Sequence, residues 1–372
     1  MDELQFSYVT FDQIHRIQEL HPLVYRHFCK ENEKFTKFDY LACCPDISND
    51  FPCFFYLTDN DEIISGMGAL PDKFYRNSEI LRWAWCGAIF TNPEYRGKEL
   101  AVLLVRNMAK VLHERNAAWA GISSNPPAMR VYQKLKFTIP GYANRYLFPK
   151  TITPFLGYYI KNKILTSVLD VPYRMALRIM LTLIGRPLHP DKLEIAVKRV
   201  DIDNEDLADN KRPPVCYHTP YHFNDNFDKI KWKINKNKDI HLYLIMNKNT
   251  NEHLCYFILK NRKNERAFAG KVFNFKLMTL MDYGVYNKDI NAYEALMCAV
   301  LSLFWKSDAD VLEVISSSSI FNKILKRNGI FKFWNGMSFK FCAPPDWNLD
   351  QEGAELSNWP ITHFCGDAFS FH

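Results

Sequence analysis

The chain has 372 residues, of which 48% are hydrophobic and 15% aromatic, and 47 Lys and Arg against 41 Asp and Glu leave a net charge of +6. That length exceeds one ordinary compact domain and fits two of roughly 150–190 residues, and the apolar share excludes global disorder. The charge favours an anionic cofactor or substrate but falls short of a nucleic-acid-binding balance.

The ten cysteines form no C-x-x-C pair that would suggest zinc or a redox dithiol, so thiols in a reducing compartment are expected. The N-terminus, Met1-Asp2-Glu3-Leu4, is acidic where a signal peptide would be basic, and no apolar run reaches the ~18 residues that span a bilayer. The expectation is a cytoplasmic protein with no transmembrane segment, no metal and no nucleic-acid partner; its oligomeric state stays open.

In chain order, Leu4–Val9 alternates like a strand, and Phe11–His27 has helical spacing through Ile14, Ile17, Leu20, Leu23 and Val24. Two strand-like runs, Phe51–Thr58 and Glu62–Ala69, flank Asp59-Asn60-Asp61, which is hairpin chemistry. Glu79–Phe90 reads as a longer strand that stops at Pro93. From Lys98 to Arg115 the residues Leu100, Leu103, Leu104, Met108, Val111 and Leu112 make one apolar helical stripe. Ala117–Ser123 reads as a short buried strand, Pro126–Lys136 as a helix with prolines in its first turn, and Tyr142–Pro149 as a strand.

Thr151–Pro187 is apolar and basic, and Pro172 divides it into two helical pieces. Such a pair either packs between two domains, the preferred reading, or lies on a membrane surface. The second half then repeats the order of the first. Strands are expected at Leu193–Val200, His241–Met246, Leu254–Lys260 and Phe275–Tyr286, followed by a helix over Tyr293–Phe304. Strand Val311–Ile315, helix Ile320–Arg327 and strand Phe331–Phe341 complete it. The distance from long strand to second helix is similar in both halves, which suggests internal duplication. The predicted class is α+β with a mixed sheet.

Most of the chemical signal lies in Ile89-Phe90-Thr91-Asn92-Pro93-Glu94-Tyr95-Arg96-Gly97-Lys98-Glu99-Leu100-Ala101. A strand, a tight polar turn and a helix start bring backbone N–H groups and partial positive charge to one point, which suits a pyrophosphate. The turn resembles the cofactor loop of the GNAT acyltransferase superfamily, Q/R-x-x-G-x-G/A, with Arg96, Gly97, Lys98, Glu99, Leu100 and Ala101 in its positions. Asn125 to Phe137 resembles that superfamily's second signature, N-x-x-A-x-x-x-Y-x-K-L-G-F. Two signatures in the right order and spacing are far more specific than either alone.

The resemblance implies that Phe90 and Thr91 pair with the pantetheine arm as with an added strand, that the amides from Arg96 through Ala101 hold the pyrophosphate, and that Asn125 touches the cofactor arm. It places Tyr132 near the thioester sulfur, where a phenol protonates the leaving thiolate. Two departures stand out: Glu99 replaces the first loop glycine, and Lys136 the glycine before Phe137. No carboxylate lies between Leu81 and Phe90, so the base is not identified; Cys86, Asp282, Glu313 and Asp367 are candidates. The second half resembles the same fold without the loop, with Leu325 where Tyr132 stands and Ser318 where Asn125 stands. Its tail, residues 358–367, either closes over the acceptor site or tucks onto the core as a strand.

The resemblance thus implies a GNAT-like acyl-CoA-binding domain at 1–150, a helical connection at 151–190 and a degenerate GNAT-like domain at 191–372. The implied activity is acyl-CoA-dependent N-acyl transfer, in the first place from acetyl-CoA, to a small amine such as an amino sugar. A tandem-GNAT aminoacyl or peptidyl transferase using charged tRNA is one alternative, and a non-catalytic acyl-CoA-binding scaffold another.

Overall fold

Among the described residues of the computed structural model, thirteen strands join into one mixed sheet. The structure describes residues 4–28, 44, 48–76, 79–123, 126–183, 193–201, 221–223, 227–234, 239–268, 271–286, 290–330, 332–349, 353–362 and 365. The strands are β1 (Gln5–Thr10), β2 (Pro52–Asp59), β3 (Glu62–Arg76), β4 (Glu79–Thr91), β5 (Ala117–Ser123), β6 (Thr138–Pro149), β7 (Ile195–Arg199), β8 (Tyr221–Phe223), β9 (Ile240–Asn247), β10 (His253–Phe268), β11 (Lys271–Val285), β12 (Val311–Ser316) and β13 (Lys332–Cys342). The helices are α1 (Ile17–Leu20), α2 (Pro22–Phe28), α3 (Leu100–Glu114), α4 (Pro126–Lys134), α5 (Thr153–Tyr159), α6 (Lys163–Leu183), α7 (Phe227–Ile234), α8 (Ile290–Lys306) and α9 (Ser319–Arg327). The mixed α and β class expected from the sequence is the one observed.

The sheet order is β1-β2-β3-β4-β5-β13-β6-β12-β11-β10-β9-β7, with β8 pairing to β3 off this path. It reads alike from both edges. Its two parallel pairs, β4–β5 and β11–β12, are symmetrically placed, and every other pairing is antiparallel. The antiparallel pair β13–β6 forms the centre: β13 follows β12 in the chain yet pairs with β5, and β6 follows β5 yet pairs with β12.

Several boundaries differ from the sequence reading for local reasons. Phe11–His27 is not one helix: Phe11–Arg16 is a 3-10 turn, and His21 takes φ −136°, ψ 63° before Pro22, as a residue preceding proline tends to. β3 runs on past Ala69 through Pro71, which lies between the end of the β2 pairing at Gly68 and the start of the β8 pairing at Phe74. On that side a missing N–H costs no ladder bond; on the other, Pro71 stands opposite Ala84 of β4. The hairpin at Asn60 (φ 47°) and Asp61 (φ 61°) has the two left-handed residues that a tight turn between twisted strands requires.

Pro172 does not divide the connection; it lies inside α6. The break falls at Ile160–Asn162, where Asn162 Oδ1 accepts the amides of Ile164 (3.0 Å) and Leu165 (3.2 Å) and caps the new helix. Pro172 is solvent-exposed, so water can satisfy the carbonyl that it leaves without a donor. The short elements β8 and α7 were not expected.

α3 and α4 cover one face of the first half, closing a core of Leu104, Met108, Trp119 and Tyr132. α8 and α9 cover the second half through Tyr293, Leu296, Phe304, Phe321 and Leu325. On the opposite face of the first half, Phe74, Trp83, Tyr221, Phe339, Phe341 and Trp359 form an aromatic cluster. Trp359 stacks on Tyr221 with centroids 4.2 Å apart and donates from Nε1 to the Gly353 carbonyl (3.0 Å). Residues 353–362 of the tail therefore pack on this core without joining the sheet as a strand. No helix is long and apolar enough to cross a membrane among the described residues.

Two buried ion pairs join distant segments: Arg145 of β6 with Glu313 of β12, and Lys229 of α7 with Asp72 of β3. Asp72 also accepts from Trp85 Nε1 (2.9 Å) and the Lys73 amide (2.6 Å). Lys229→Met removes the cation and leaves a buried carboxylate uncompensated, which should cost about 3–5 kcal/mol. Urea denaturation of this variant and of Lys229→Met with Asp72→Asn checks it: the double variant should recover most of the loss. A single variant within ~1 kcal/mol of the wild type would mean that the pair does not hold α7.

Candidate functional site

The parallel strands β4 and β5 pair only from Arg82–Ala117 to Trp85–Ala120. Beyond that point β4 continues to Thr91 and β5 to Ser123 without pairing to each other, so the two diverge. A bulge in β4 accompanies the divergence. Gly66 stands opposite Phe90 and Gly68 opposite Gly87, three steps on β4 for two on β3, with Ala88 at φ 55°. The Phe90 carbonyl accepts Ser65 Oγ (2.8 Å) on the β3 side. Alternation along the strand then turns the backbone groups of Thr91, rather than those of Phe90, to the open edge.

The turn after β4 ends at the start of α3. Tyr95 N donates to Asn92 O (2.9 Å) and Arg96 N to Pro93 O (3.2 Å), while the amides of Gly97, Glu99, Leu100 and Ala101 have no backbone acceptor among the described residues. Gly97 takes φ 85° with open space where a Cβ would stand. Arg96 is exposed and has no carboxylate partner among the described residues. Lys98 Nζ lies 4.5 Å over the Tyr95 ring. Unused amides at a helix start beside a guanidinium are a fit for a phosphate.

Glu99 adopts the left-handed conformation, φ 58° and ψ 16°, that a glycine would take without strain. Its carboxylate is ion-paired with Lys134 of α4, whose hydrogen bond and charge hold it below the ordinary carboxylate range. The negative charge in the loop is thereby matched by a cation.

Tyr132 of α4 is buried between Trp119 (centroids 4.9 Å, 47°) and Phe137 (5.8 Å, 30°). Its hydroxyl has no hydrogen-bond partner among the described residues, and burial, with a smaller contribution from Cys86, raises its pKa. Cys86 on β4 is buried, its thiol donates to Ala84 O (3.4 Å), and burial pushes its pKa well above the ordinary thiol value. It is a neutral neighbour of Tyr132.

Lys340, a residue that the sequence reading missed, stands beside Tyr132. Register with β5 places it opposite Gly121 on β13, fully buried. Its Nζ lies 4.8 Å over the Tyr132 ring, 3.3 Å from Ser338 Oγ and 3.9 Å from Met129 Sδ. Burial brings its pKa down to about 7. Added to Gly121, a Cβ would meet Lys340 Cε at 3.3 Å and Trp119 at 2.7 Å, so the glycine makes room for the lysine stem. In sequence, Phe339-Lys340-Phe341 reads as ordinary alternation with the lysine in water. Only its faces-mates Ser338 and Cys342, small and uncharged, hint otherwise.

The other proposed bases lie elsewhere. Asp282 on β11 accepts from Tyr256 OH (2.9 Å) and Thr362 Oγ1 (2.9 Å). β11 is three strands from β13, about 14 Å at the usual strand spacing. Glu313 is engaged by Arg145 and by Thr279 Oγ1 (3.2 Å). Asn125 and Asp367 lie outside the described residues. Among the described residues no group of three or more His, Cys, Asp or Glu comes together as a metal site.

The second half has the same opening with different parts. β11 and β12 pair only from Leu277–Val311 to Leu280–Val314, and Met281 is the extra residue of a bulge between Leu280 and Asp282. The link from β11 to α8 is residues 286–289, four residues, against eight (92–99) between β4 and α3; of the four, 287–289 lie outside the described residues. Leu325 is fully buried on α9, and Ser318 caps that helix by accepting the Phe321 amide (3.2 Å).

Residues 14–137 match the family model described as acetyltransferase (GNAT) family. Among solved structures, the fold is similar to a GCN5-related N-acetyltransferase from Anabaena variabilis (TM-score 0.55, 12% identity, 92% of this chain and 74% of that one). It is also similar to Saccharomyces cerevisiae N-myristoyltransferase with bound myristoyl-CoA (TM-score 0.54, 9% identity, 92% and 79%) and to a GCN5-related N-acetyltransferase from Kribbella flavida (TM-score 0.51, 11% identity, 94% and 71%). No curated protein matches the sequence.

The lowered pKa of Lys340 has a thermodynamic consequence. Below 10.5, the ordinary lysine value, the unfolded chain keeps a proton that the folded chain releases near pH 7. Stability from this group therefore rises with pH across that interval. Urea midpoints at pH 7 and pH 8 should show a larger increase for the wild type than for Lys340→Met, below the range where the raised thiols of Cys53 and Cys86 act in the opposite sense. Equal slopes would place Lys340 in a wetter setting than the structure gives it.

Proposed function

We propose that the chain is an acyltransferase that moves an acyl group, in the first place acetyl, from coenzyme A to a small amine; the match of residues 14–137 to the acetyltransferase (GNAT) family model supports this reading. The observation that carries this reading is the buried pair of Tyr132 and Lys340 next to the diverging edges of β4 and β5. Myristoyl-CoA is bound by the yeast N-myristoyltransferase that shares the fold, which supports an acyl-CoA as donor here; acyl length is left to experiment.

In this proposal the turn at Arg96–Ala101 holds the pyrophosphate through the unused amides and the Arg96 charge, and the open edge of β4 at Thr91 receives the pantetheine arm as an added strand. The acceptor nitrogen attacks the thioester carbonyl, forming the C–N bond. Lys340, as the neutral amine, takes the proton that this nitrogen sheds. As the C–S bond breaks, the thiolate takes the phenolic proton of Tyr132, and the Lys340 ammonium, which lies over the ring and not on the hydroxyl, returns a proton to it through water. The pair thus moves one proton from nitrogen to sulfur, and the products are an amide and the free thiol. An amino sugar remains a candidate acceptor.

We further propose that the mirrored sheet order reflects two GNAT-like halves, 1–150 and 191–372, joined by the helical connection 151–190, with one coenzyme A taken up in the first. The four-residue link after β11 and Leu325 in place of a phenol support that asymmetry.

Three variants test the reading. Arg96→Glu should weaken acetyl-CoA binding at least tenfold, ~1.4 kcal/mol, by calorimetry. Tyr132→Phe and Lys340→Met should each lower turnover by about 10²–10⁴-fold while cofactor affinity stays within about threefold. The wild-type rate should rise with pH through a midpoint near 7, because the base must be neutral, and Lys340→Met should lose that limb. Wild-type turnover and an unchanged profile in Lys340→Met would remove the lysine from the mechanism.

A further inference from the structure

Helix α6 is amphipathic the wrong way round. Toward the protein it turns Thr166, Asp170 and Leu177. Toward solvent it turns Ile164 (77% exposed), Val168 (59%), Val171 (57%), Met175 (60%) and Ile179 (55%). At 100° per residue these five positions fall within an arc of about 80°, and at 1.5 Å per residue they run for about 22 Å along the helix. Leu165 and Leu169 widen the stripe on one side. Scattered exposed apolar residues are ordinary, but a contiguous one of this length marks a surface made to be covered. The inner side of the helix packs through Leu177, with Tyr173 and Met180 against the same core, and the outer side carries the stripe.

The charges around the stripe say what covers it. Residues 151–183 contain Lys161, Lys163, Arg174 and Arg178 against a single acid, Asp170. Asp170 is buried and turned inward, accepting from Thr151 Oγ1 (2.7 Å), the Ile152 amide (2.7 Å) and Arg174 Nε (2.5 Å). Lys161, Arg174 and Arg178 are exposed. Tyr159, 68% exposed, stands at the end of α5 beside the start of the stripe, and an exposed tyrosine suits a lipid–water boundary. A second copy of the chain fits poorly. A two-fold contact along α6 would bring its basic residues near those of the second copy, while the one acid of residues 151–183, Asp170, is turned inward.

We propose that α6 is an in-plane membrane-docking helix, its stripe from Ile164 to Ile179 seated among acyl chains and its basic flank on anionic headgroups. Nothing in the chain's acyl-transfer reading is needed for this, and the site of that reaction is built from other elements. The helix lies on the surface and does not cross it, since no helix is long and apolar enough to do so among the described residues.

The test is co-sedimentation of the full chain with vesicles of phosphatidylcholine containing about one-third phosphatidylserine. Wild type should bind these at least tenfold more tightly than vesicles of phosphatidylcholine alone. The triple variant Val168→Ser, Met175→Ser, Ile179→Ser should lose at least tenfold with an unchanged melting temperature, because all three side chains are exposed. Arg178→Glu should weaken binding to the anionic vesicles and leave the weak binding to neutral ones as it was. Full vesicle binding by the triple variant, or none by the wild type, would overturn the proposal. So would a self-association, seen by sedimentation velocity, that the triple variant abolishes, because it would make a second copy the occupant of the face.

Discussion

Each half of the sheet lacks a strand that only the other half supplies. β5 would be an open edge without β13, and β12 would be one without β6; unpaired edges of buried strands carry donors and acceptors that must be satisfied. The exchange satisfies both and makes the two central strands each other's neighbours. It also couples the halves through pairings distant in sequence: Lys340 sits opposite Gly121, more than two hundred residues away. Pairings of that separation must form late and together, since their loop-closure entropy is met only when both halves are in place. The Arg145–Glu313 pair then crosses the same seam, from β6 to β12.

The first half's chemistry inherits its geometry from this arrangement. A parallel pair that stops pairing at Trp85–Ala120 leaves one side of β4 open, and the bulge at Ala88 turns its last residues away from β5. β13 fills the other side of β5 and brings Lys340 beneath α4. The second half repeats the divergence and the bulge at Met281, so the backbone device alone does not make a site. Parts differ instead: a longer turn with a guanidinium, and a phenol facing a lysine, occur at the first opening only among the described residues.

The legible part of this structure was local. Apolar periodicity marked α3 from Leu100 to Leu112, Asn60-Asp61 marked the hairpin, and the glycine-basic turn followed β4 as expected. Errors came where a residue's effect depends on what lies beside it in space. The strand expected to stop at Ala69 runs on through Pro71, where β3 has no ladder partner on one side; Pro172 breaks a helix only if its orphaned carbonyl is buried, and this stretch of α6 is exposed. Cys86, Asp282 and Glu313 have the chemistry of a base in sequence, but burial holds the thiol protonated and hydrogen bonds or an arginine occupy the two carboxylates. Lys340 was invisible for the same reason in reverse. Alternation assigns it to solvent, and only the strand exchange, a contact across most of the chain, puts that face under a helix.

Burial acts on Tyr132 and Lys340 in opposite senses, and both effects suit the proposed acyl transfer. Low polarity disfavours whichever form is charged, so it raises the phenol and lowers the ammonium. Near pH 7 the pair is then a protonated acid beside a base of which about half is neutral, and the neutral fraction has the protonation states that the proposed proton transfer starts from. A carboxylate beside the lysine would reverse half of this, since its charge would draw the ammonium back toward its ordinary value. Two neighbours of Nζ, Ser338 Oγ and Met129 Sδ, are uncharged. The absence of a carboxylate between Leu81 and Phe90 of β4 is consistent with the proposed base, Lys340 of β13, whose pKa burial lowers.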